Sequence, residues 1–401
     1  MVQVASLFNQ LLKQFPRTEF AHLVRKHHAE RAAKGFTCWT QFVAMLFCQL
    51  SRTDSLREIC NGLSCCLGKL IHLGIDRAPL RSTLSYANQH RPAALFEDLF
   101  WTTLGRFRQQ QLLGSRSTRF RFKNKLLSLD STTISLCLNL FPWANFKRTK
   151  GGVKAHVLLD HDDYMPRFIL LTNAKASDVR MARGVPIPSQ SIVVCDRAYQ
   201  DFSRLTRWTA EGIYFVCRSP HYPLHRVISR RRLPAAGNVL TDHIVRFTGR
   251  WSSRYPHPLR RITIRLEGED QPLILLTNLM DFAPSTIGRI YKQRWQIEVF
   301  FKTIKQNLKV KTFVGTTENA LRIQIWTALI AMLLLKWLHH LSQARWSLSN
   351  LCSMLRLNLF TYRDLWTWLD NPFGTSPLTP EPEQLSLHFS GFGQPAIPWS
   401  P

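Results

Sequence analysis

The chain has 401 residues, with 53 Lys and Arg against 26 Asp and Glu, a formal net charge of +27. That surplus sets it apart from an ordinary metabolic enzyme and points to a polyanionic partner, nucleic acid before an anionic membrane face. With 45% hydrophobic and 11% aromatic residues it can bury a sizeable core, which excludes a disordered basic arm, and its length suits two or three domains.

The first residues, MVQVASLFNQLLKQF, have no basic start, compact apolar stretch or small-residue cleavage site, so no secretion leader is expected. Residues 1–118 read as helical, with apolar positions at steps of three and four such as Phe42, Met45, Leu46 and Leu50. Within them SRTDSLREICNGL predicts a short helix capped by Thr53 or Asp54 and stopped at Gly62. A second helix is predicted from near Ser82, exposing Arg81, Thr83, Ser85, Asn88 and Arg91, side chains of the types that contact phosphates and base edges. A helix-turn-helix fits this pair, and so does a plain helical domain.

From Lys123 the texture changes to strands. LLSLDSTTISL is one, GGVKAHVLLDHDDYMPRFILLTN reads as a hairpin turning at HDD, and SIVVCDRAY is another. Short helices are predicted over 177–184 and 201–212, with a strand at IYFVCRS after them. Residues 221–272 are Arg- and Pro-rich with alternating apolar positions, a β-rich insertion, after which LILLTNL returns to the core. Pro284 opens a predicted long helix to about Leu308. Helices continue to about Leu369, including an apolar run, Ile325 to Leu335, too short to span a bilayer and read as a buried helix. The divisions are 1–118, 119–220, 221–272, 273–315, 316–370 and a Pro-rich tail, 371–401. Nine scattered cysteines without paired CxxC motifs predict free thiols in a reducing cytosol rather than a zinc site.

Two carboxylates stand where burial should forbid them. Asp130 interrupts LLSLDST and Asp196 ends IVVCD. Either alone also suits a hydrogen-bonded Asp at a strand end. On the Pro284 helix, Tyr291, Arg294, Glu298 and Lys305 recur at three, four and seven, close to whole turns, so they share one face. Two strand-end Asp and a helical Glu supply the hard oxygen donors that two Mg²⁺ ions, or Mn²⁺ in their place, need for in-line phosphoryl transfer. Arg294 and Lys305 suit phosphates and Tyr291 a supporting contact. An amphipathic helix with an i,i+4 Arg–Glu pair gives the same pattern. Lys154 and His156 share a strand face and suit phosphate contact. Asp160, Asp162 and Asp163 sit at the hairpin turn, where solvent exposure is expected. Cys195, pointing away from Asp196, is expected to be a buried thiol.

The spacing of Tyr291, Arg294, Glu298 and Lys305 resembles the Tyr-Arg-Glu-Lys motif of bacterial cut-and-paste transposases of insertion-sequence family four. LLSLDST resembles the first catalytic strand of that family and VVCDRAYQD its second block, with Ala198 where many relatives carry Gly. The resemblance spans nearly all of the first 365 residues. It implies an α/β (α+β) fold: a ribonuclease-H-like mixed-sheet core with a β-rich insertion, preceded by an all-helical DNA-binding domain. It also implies catalytic, metal-binding Asp130, Asp196 and Glu298. The partners implied are double-stranded DNA, as transposon ends and target, and a second copy in a synaptic homodimer, in the bacterial cytoplasm at the nucleoid. Trp295 matches a position that holds a flipped base in some members, core packing being the alternative, and Trp251 is a second stacking candidate. The expected activity is Mg²⁺-dependent strand cleavage and transfer at terminal inverted repeats. A non-catalytic repressor-like DNA binder and a structure-specific nuclease remain the alternatives.

Overall fold

The computed structural model describes residues 5–377 apart from 32, 34, 67, 115–119, 138–139, 148–149, 175–183, 200, 220–223, 234–236, 250–251, 267, 269–270 and 308–312. The helix expected over 177–184 and Trp251 therefore fall outside the described residues, as does the tail beyond 377.

Among the described residues the opening stretch carries the α-helices α1 (Leu7–Leu12), α2 (Arg17–Lys26), α3 (Cys38–Ser51), α4 (Leu56–Ser64), α5 (Arg81–His90) and α6 (Ala94–Gln109). Thr37 caps α3 by accepting from the Thr40 amide, and every side chain from Cys38 to Leu50 is buried. The cap of α4 is Ser55, not Thr53 or Asp54. Its hydroxyl accepts from the Glu58 amide while the Glu58 carboxylate accepts from the amide of Asp54, one residue before the cap, a variant of the capping box. Gly62 does not stop α4 but lies inside it, where a Cβ would meet the Phe47 ring at 3.0 Å. Sixteen residues separate α4 from α5, against the three or four of a helix-turn-helix, so the pair is not that motif.

The strands are β1 (Leu126–Leu136), β2 (Asn145–Lys147), β3 (Lys150–Asp160), β4 (Pro166–Asn173) and β5 (Ile192–Cys195). After α7 (Phe202–Ala210) come β6 (Tyr214–Arg218), β7 (His225–Arg230), β8 (Val239–Phe247), β9 (Leu259–Ile264) and β10 (Leu273–Thr277). All ten form one sheet in the order β2-β3-β1-β5-β6-β10-β9-β8-β7, with β4 on β3. The β1–β5 and β5–β6 pairs are parallel and the others antiparallel. The insertion strands thus extend the central sheet through β10. At its heart Arg260 and Asp242, with 0% and 1% of their side chains exposed, make a two-pronged ion pair at 2.8 and 2.6 Å. Arg260 also donates to the carbonyls of Leu279, Met280 and Phe282, fixing the chain ahead of the next helix.

The remaining helices are α8 (Pro284–Lys292), α9 (Trp295–Asn307), α10 (Glu318–Leu341), α11 (Leu348–Asn358) and α12 (Leu365–Asp370). The single long helix expected from Pro284 is two helices. At Gln293 and Arg294 the amides bond three residues back, to Ile290 and Tyr291, and the tighter turn separates α8 from α9. Helix α10 is long and apolar enough to cross a membrane, but 89% of its most apolar window is buried inside the protein, as a core helix requires. It packs on α3, α5, α6 and α11, so the opening and closing helices share one apolar core that also covers Ile134, Val153 and Val157 of the sheet. With each buried Leu or Phe contributing about 1.5–3 kcal/mol, neither helical stretch keeps its core without the other. Over the sheet's middle, α7 closes one face through Phe202, Leu205 and Trp208, and α8 the opposite face through Ile287 and Ile290.

The HDD turn departs from expectation. Asp162 is exposed, but Asp160 and Asp163 are buried, at 1% and 6% exposure. Lys125 (3.2 Å) and Arg167 (2.7 Å) neutralise Asp160, and Arg108 holds Asp163 at 2.7 Å, tying α6 to the hairpin. Basic partners from three elements let the turn sink into the fold.

Candidate active site

Alternation along β1 sends Leu126, Ser128 and Asp130 to one face and Leu127 and Leu129 to the other. The same rule on β5 groups Asp196 with Ile192 and Val194. Leu126, Ile192 and Val194 belong to the core under α8, so both Asp side chains leave on the α8 side. The parallel register Leu129↔Cys195 then sets Asp130 beside Asp196, on strands about 4.8 Å apart. Each carboxylate accepts from the next amide, Ser131 at 2.7 Å and Arg197 at 2.8 Å. Arg197–Tyr199 forms a 3₁₀ turn, a conformation with negative φ that Ala198 adopts without a glycine.

Helix α9 packs on the distal half of β1 through Ile297, Phe300 and Phe301 and brings Glu298 over the same face. Arg294 joins the helix to the strand, its Nη2 lying 2.6 Å from Glu298 Oε1 and its Nη1 3.5 Å from Asp130 Oδ2. The charges of Asp196 and Glu298 both reach Asp130. Burial pushes Asp130 up to about 6; the Ser131 amide and Arg294 pull it down, and the two neighbouring carboxylates push with burial. For Arg294, Tyr291, Glu298 and Asp130 more than offset the opposing effect of burial and raise its pKa. Tyr291 is half-buried beside it, the guanidinium 5.9 Å from its ring, and burial pushes its phenol up to about 12.

The three carboxylates carry hard oxygen donors, the type that divalent cations take. Among the described residues no three His, Cys, Asp or Glu side chains converge on one point as a ready-made metal site. The Arg294 guanidinium instead stands between Asp130 and Glu298 as the cation of the cluster.

The other sequence candidates divide. Trp295 is 60% exposed, which removes core packing as its role. Lys305 is turned onto β1, donating to Thr132 Oγ1 at 2.5 Å and to the Thr133 carbonyl at 2.9 Å. Lys154 and His156 pair with Thr133 and Ser131, on the sheet face opposite Asp130, and His156 is buried against Thr172. Arg81 and Ser85 are exposed on α5 and Thr83 is half-buried. Asn88, expected on that surface, is 1% exposed and bonds Gln41 and the Met45 sulfur. Arg91 is half-buried, donating to Gln41 and to the Phe36 carbonyl. The exposed face of α5 is instead Arg81, Ser82, Ser85, Tyr86, Gln89 and His90, because Leu84, Ala87 and Asn88 face the core. Cys195 is buried as expected, its sulfur 2.9 Å from that of Cys217. Sequence reasoning missed the Arg260–Asp242 pair. Its one signal was an Arg at an inward position of the apolar strand LRRITI, which Arg261 beside it obscures.

A mixed sheet with three parallel central strands, helices on both faces and two acidic side chains on one face, Asp130 in the middle of β1 rather than at a strand end and Asp196 just past the end of β5, defines a ribonuclease-H-like catalytic core. Residues 121–334, just over half the chain, match the family described as Transposase DDE domain, and residues 3–76 match a Domain of unknown function (DUF4372). The chain is 31% identical over 292 residues to y4zB, a Sinorhizobium fredii protein named as a transposase, covering 72% of this chain and 80% of the relative. It is 34% identical over 230 residues to a Geobacillus stearothermophilus protein named for transposition of insertion sequence element IS5377, covering 56% and 60%. A Synechocystis protein named for insertion sequence element IS4SA is 26% identical over 273 residues, covering 64% and 71%. The chain belongs to the DDE transposase family, and its function is DNA transposition.

Proposed function

We propose that this transposase binds the terminal inverted repeats of its own insertion sequence, cleaves the strand at each end, and joins the freed 3′-hydroxyls to target DNA. Asp130, Asp196 and Glu298 are the catalytic and metal-binding residues. The observation that carries the reading is the Leu129↔Cys195 register, which brings two otherwise forbidden carboxylates together under the helix bearing Glu298. These three carboxylates would hold two Mg²⁺ ions, replaceable by Mn²⁺, which when bound would supply Lewis-acid activation of the attacking oxygen and charge stabilisation of the leaving oxygen.

The chain's own residues do the rest. Tyr291 and Arg294, with Lys305 once it leaves Thr132, grip phosphates beside the scissile bond, as in the Tyr-Arg-Glu-Lys motif of insertion-sequence family four. Exposed Trp295, at the start of α9, offers a ring for an unstacked base. The exposed α5 face reads the end sequence, and the Arg-rich insertion, with Trp251 as a further stacking residue, holds the backbone. The divisions at 118, 220, 272, 315 and 370 separate end-binding, catalytic, insertion and clamping parts. Two copies act together on paired ends in the bacterial cytoplasm.

The test is strand cleavage of a duplex carrying the repeats that flank the gene. Nicking at the repeat ends is expected with Mg²⁺ or Mn²⁺ and none with EDTA. Binding without cleavage in any divalent ion would instead indicate a repressor-like DNA binder, and cleavage indifferent to the repeats a structure-specific nuclease.

A further inference from the structure

Arg294 is the point where charge in the site is decided. Its guanidinium lies 2.6 Å from Glu298 and 3.5 Å from Asp130, and it is the cation that the structure places against either carboxylate among the described ion pairs. It is only 18% exposed, so these contacts are weakly screened. It also sits at the break between α8 and α9, where the Arg294 amide bonds to the Tyr291 carbonyl three residues back rather than continuing an α-helical ladder. A residue at such a break can be re-aimed without unwinding either helix.

We propose that Arg294 and divalent metal exclude one another at the carboxylates, so that metal entry releases the guanidinium to a DNA phosphate and couples metal binding to DNA binding. This rests on the reading of Asp130, Asp196 and Glu298 as metal ligands. Without metal, the guanidinium compensates carboxylates that would otherwise repel one another. A metal ion brought to Asp130 and Glu298 takes over that compensation and meets a like charge at close range, which expels Arg294. The expelled side chain is then free to take a DNA phosphate, and two-pronged phosphate binding is the chemistry a guanidinium is best shaped for. Each ligand then makes room for the other, and by thermodynamic reciprocity DNA tightens metal binding as much as metal tightens DNA binding.

The experiment measures Mn²⁺ bound by the full chain, from loss of the free-ion paramagnetic resonance signal, with and without a repeat-end duplex. It uses the parent, Arg294→Gln, Arg294→Lys and Glu298→Gln. Without DNA, Arg294→Gln is expected to bind Mn²⁺ about tenfold more tightly than the parent, with Arg294→Lys between them. DNA is expected to tighten Mn²⁺ binding by the parent within the roughly 5–150-fold range of ordinary allosteric coupling, and that of Arg294→Gln much less. Thermal unfolding is the second readout: added Mn²⁺ should raise the midpoint of Arg294→Gln more than that of the parent. Equal or weaker Mn²⁺ binding by Arg294→Gln, with Glu298→Gln clearly impaired, overturns the exclusion while leaving the metal site intact. Equal Mn²⁺ binding by parent and Glu298→Gln overturns it together with the ligand reading.

Discussion

Leu129 on β1 stands in parallel register with Cys195 on β5, and Asp130 and Asp196 therefore leave neighbouring strands at one level. Burial, with a smaller push from Asp196 and Glu298, holds Asp130 near 6, against 3.8 for a free side chain. In the metal-free fold the proton is thus bound more tightly than in the unfolded chain. Between about 4 and 6 the unfolded state carries fewer protons, so this group lowers stability as pH rises through that window. With Asp130 as a metal ligand, as proposed above, metal would reverse the preference, because only the carboxylate can bind it. Mn²⁺ affinity and cleavage rate are expected to rise together from pH 5 to 7 around a midpoint near 6, and Asp130→Asn should remove that step from Mn²⁺ binding measured across the range.

His161 provides a second titration. Burial pushes it down to about 4 from 6.5, and its Nε2 is 2.7 Å from Ser128 Oγ. The unfolded chain takes up this proton below 6.5 while the folded chain resists until about 4, so stability is full above 6.5 and falls with pH across that window. The loss reaches at most about 3 kcal/mol. Urea denaturation at pH 7, 5.5 and 4.5 should show it in the parent and a flatter profile in His161→Gln.

Arg260 and Asp242 make each other tolerable in the core. Removing either alone strands a buried charge, so Arg260→Leu or Asp242→Leu is expected to cost about 3–5 kcal/mol. The double variant Arg260→Leu/Asp242→Leu should cost less than the two single losses combined, as denaturant unfolding of the four proteins will show.

Trp295 separates packing from recognition. Exposed as it is, Trp295→Ala should change unfolding stability by no more than about 0.5 kcal/mol. If its ring receives a base, affinity for a duplex with an unpaired end nucleotide should fall by about 1–3 kcal/mol, and affinity for a fully paired duplex much less. Fluorescence anisotropy with the two duplexes compares them.

The succession of core strands along the chain was legible, though not their order in the sheet, because an apolar run broken by a single Asp reads as a buried strand, and Pro284 marked the α8 start by its fixed φ. The break at Arg294 was not, since a 3₁₀ step preserves the near-whole-turn spacing of Tyr291, Arg294 and Glu298 on which one continuous face was inferred. Nor was the fate of Asn88 and Arg91: in a ten-residue helix the buried face is set by what packs on it, here Gln41 and Met45 of α3. Asp160 and Asp163 escaped for a similar reason, their partners Lys125, Arg167 and Arg108 lying on other elements. Spacing reveals periodicity, whereas burial of a charge depends on partners distant in sequence.

The cooperation of the three carboxylates is tested most directly by the rate of strand cleavage on a repeat-end duplex with Mg²⁺, for the parent, Asp130→Asn, Asp196→Asn, Glu298→Gln and the triple variant. Each single variant is expected to lose at least about a hundredfold, the several kcal/mol that a correctly held metal contributes, with the triple variant little worse than the worst single one. Cleavage at the parent rate by Glu298→Gln, in protein that still folds and binds the duplex, would contradict the assignment.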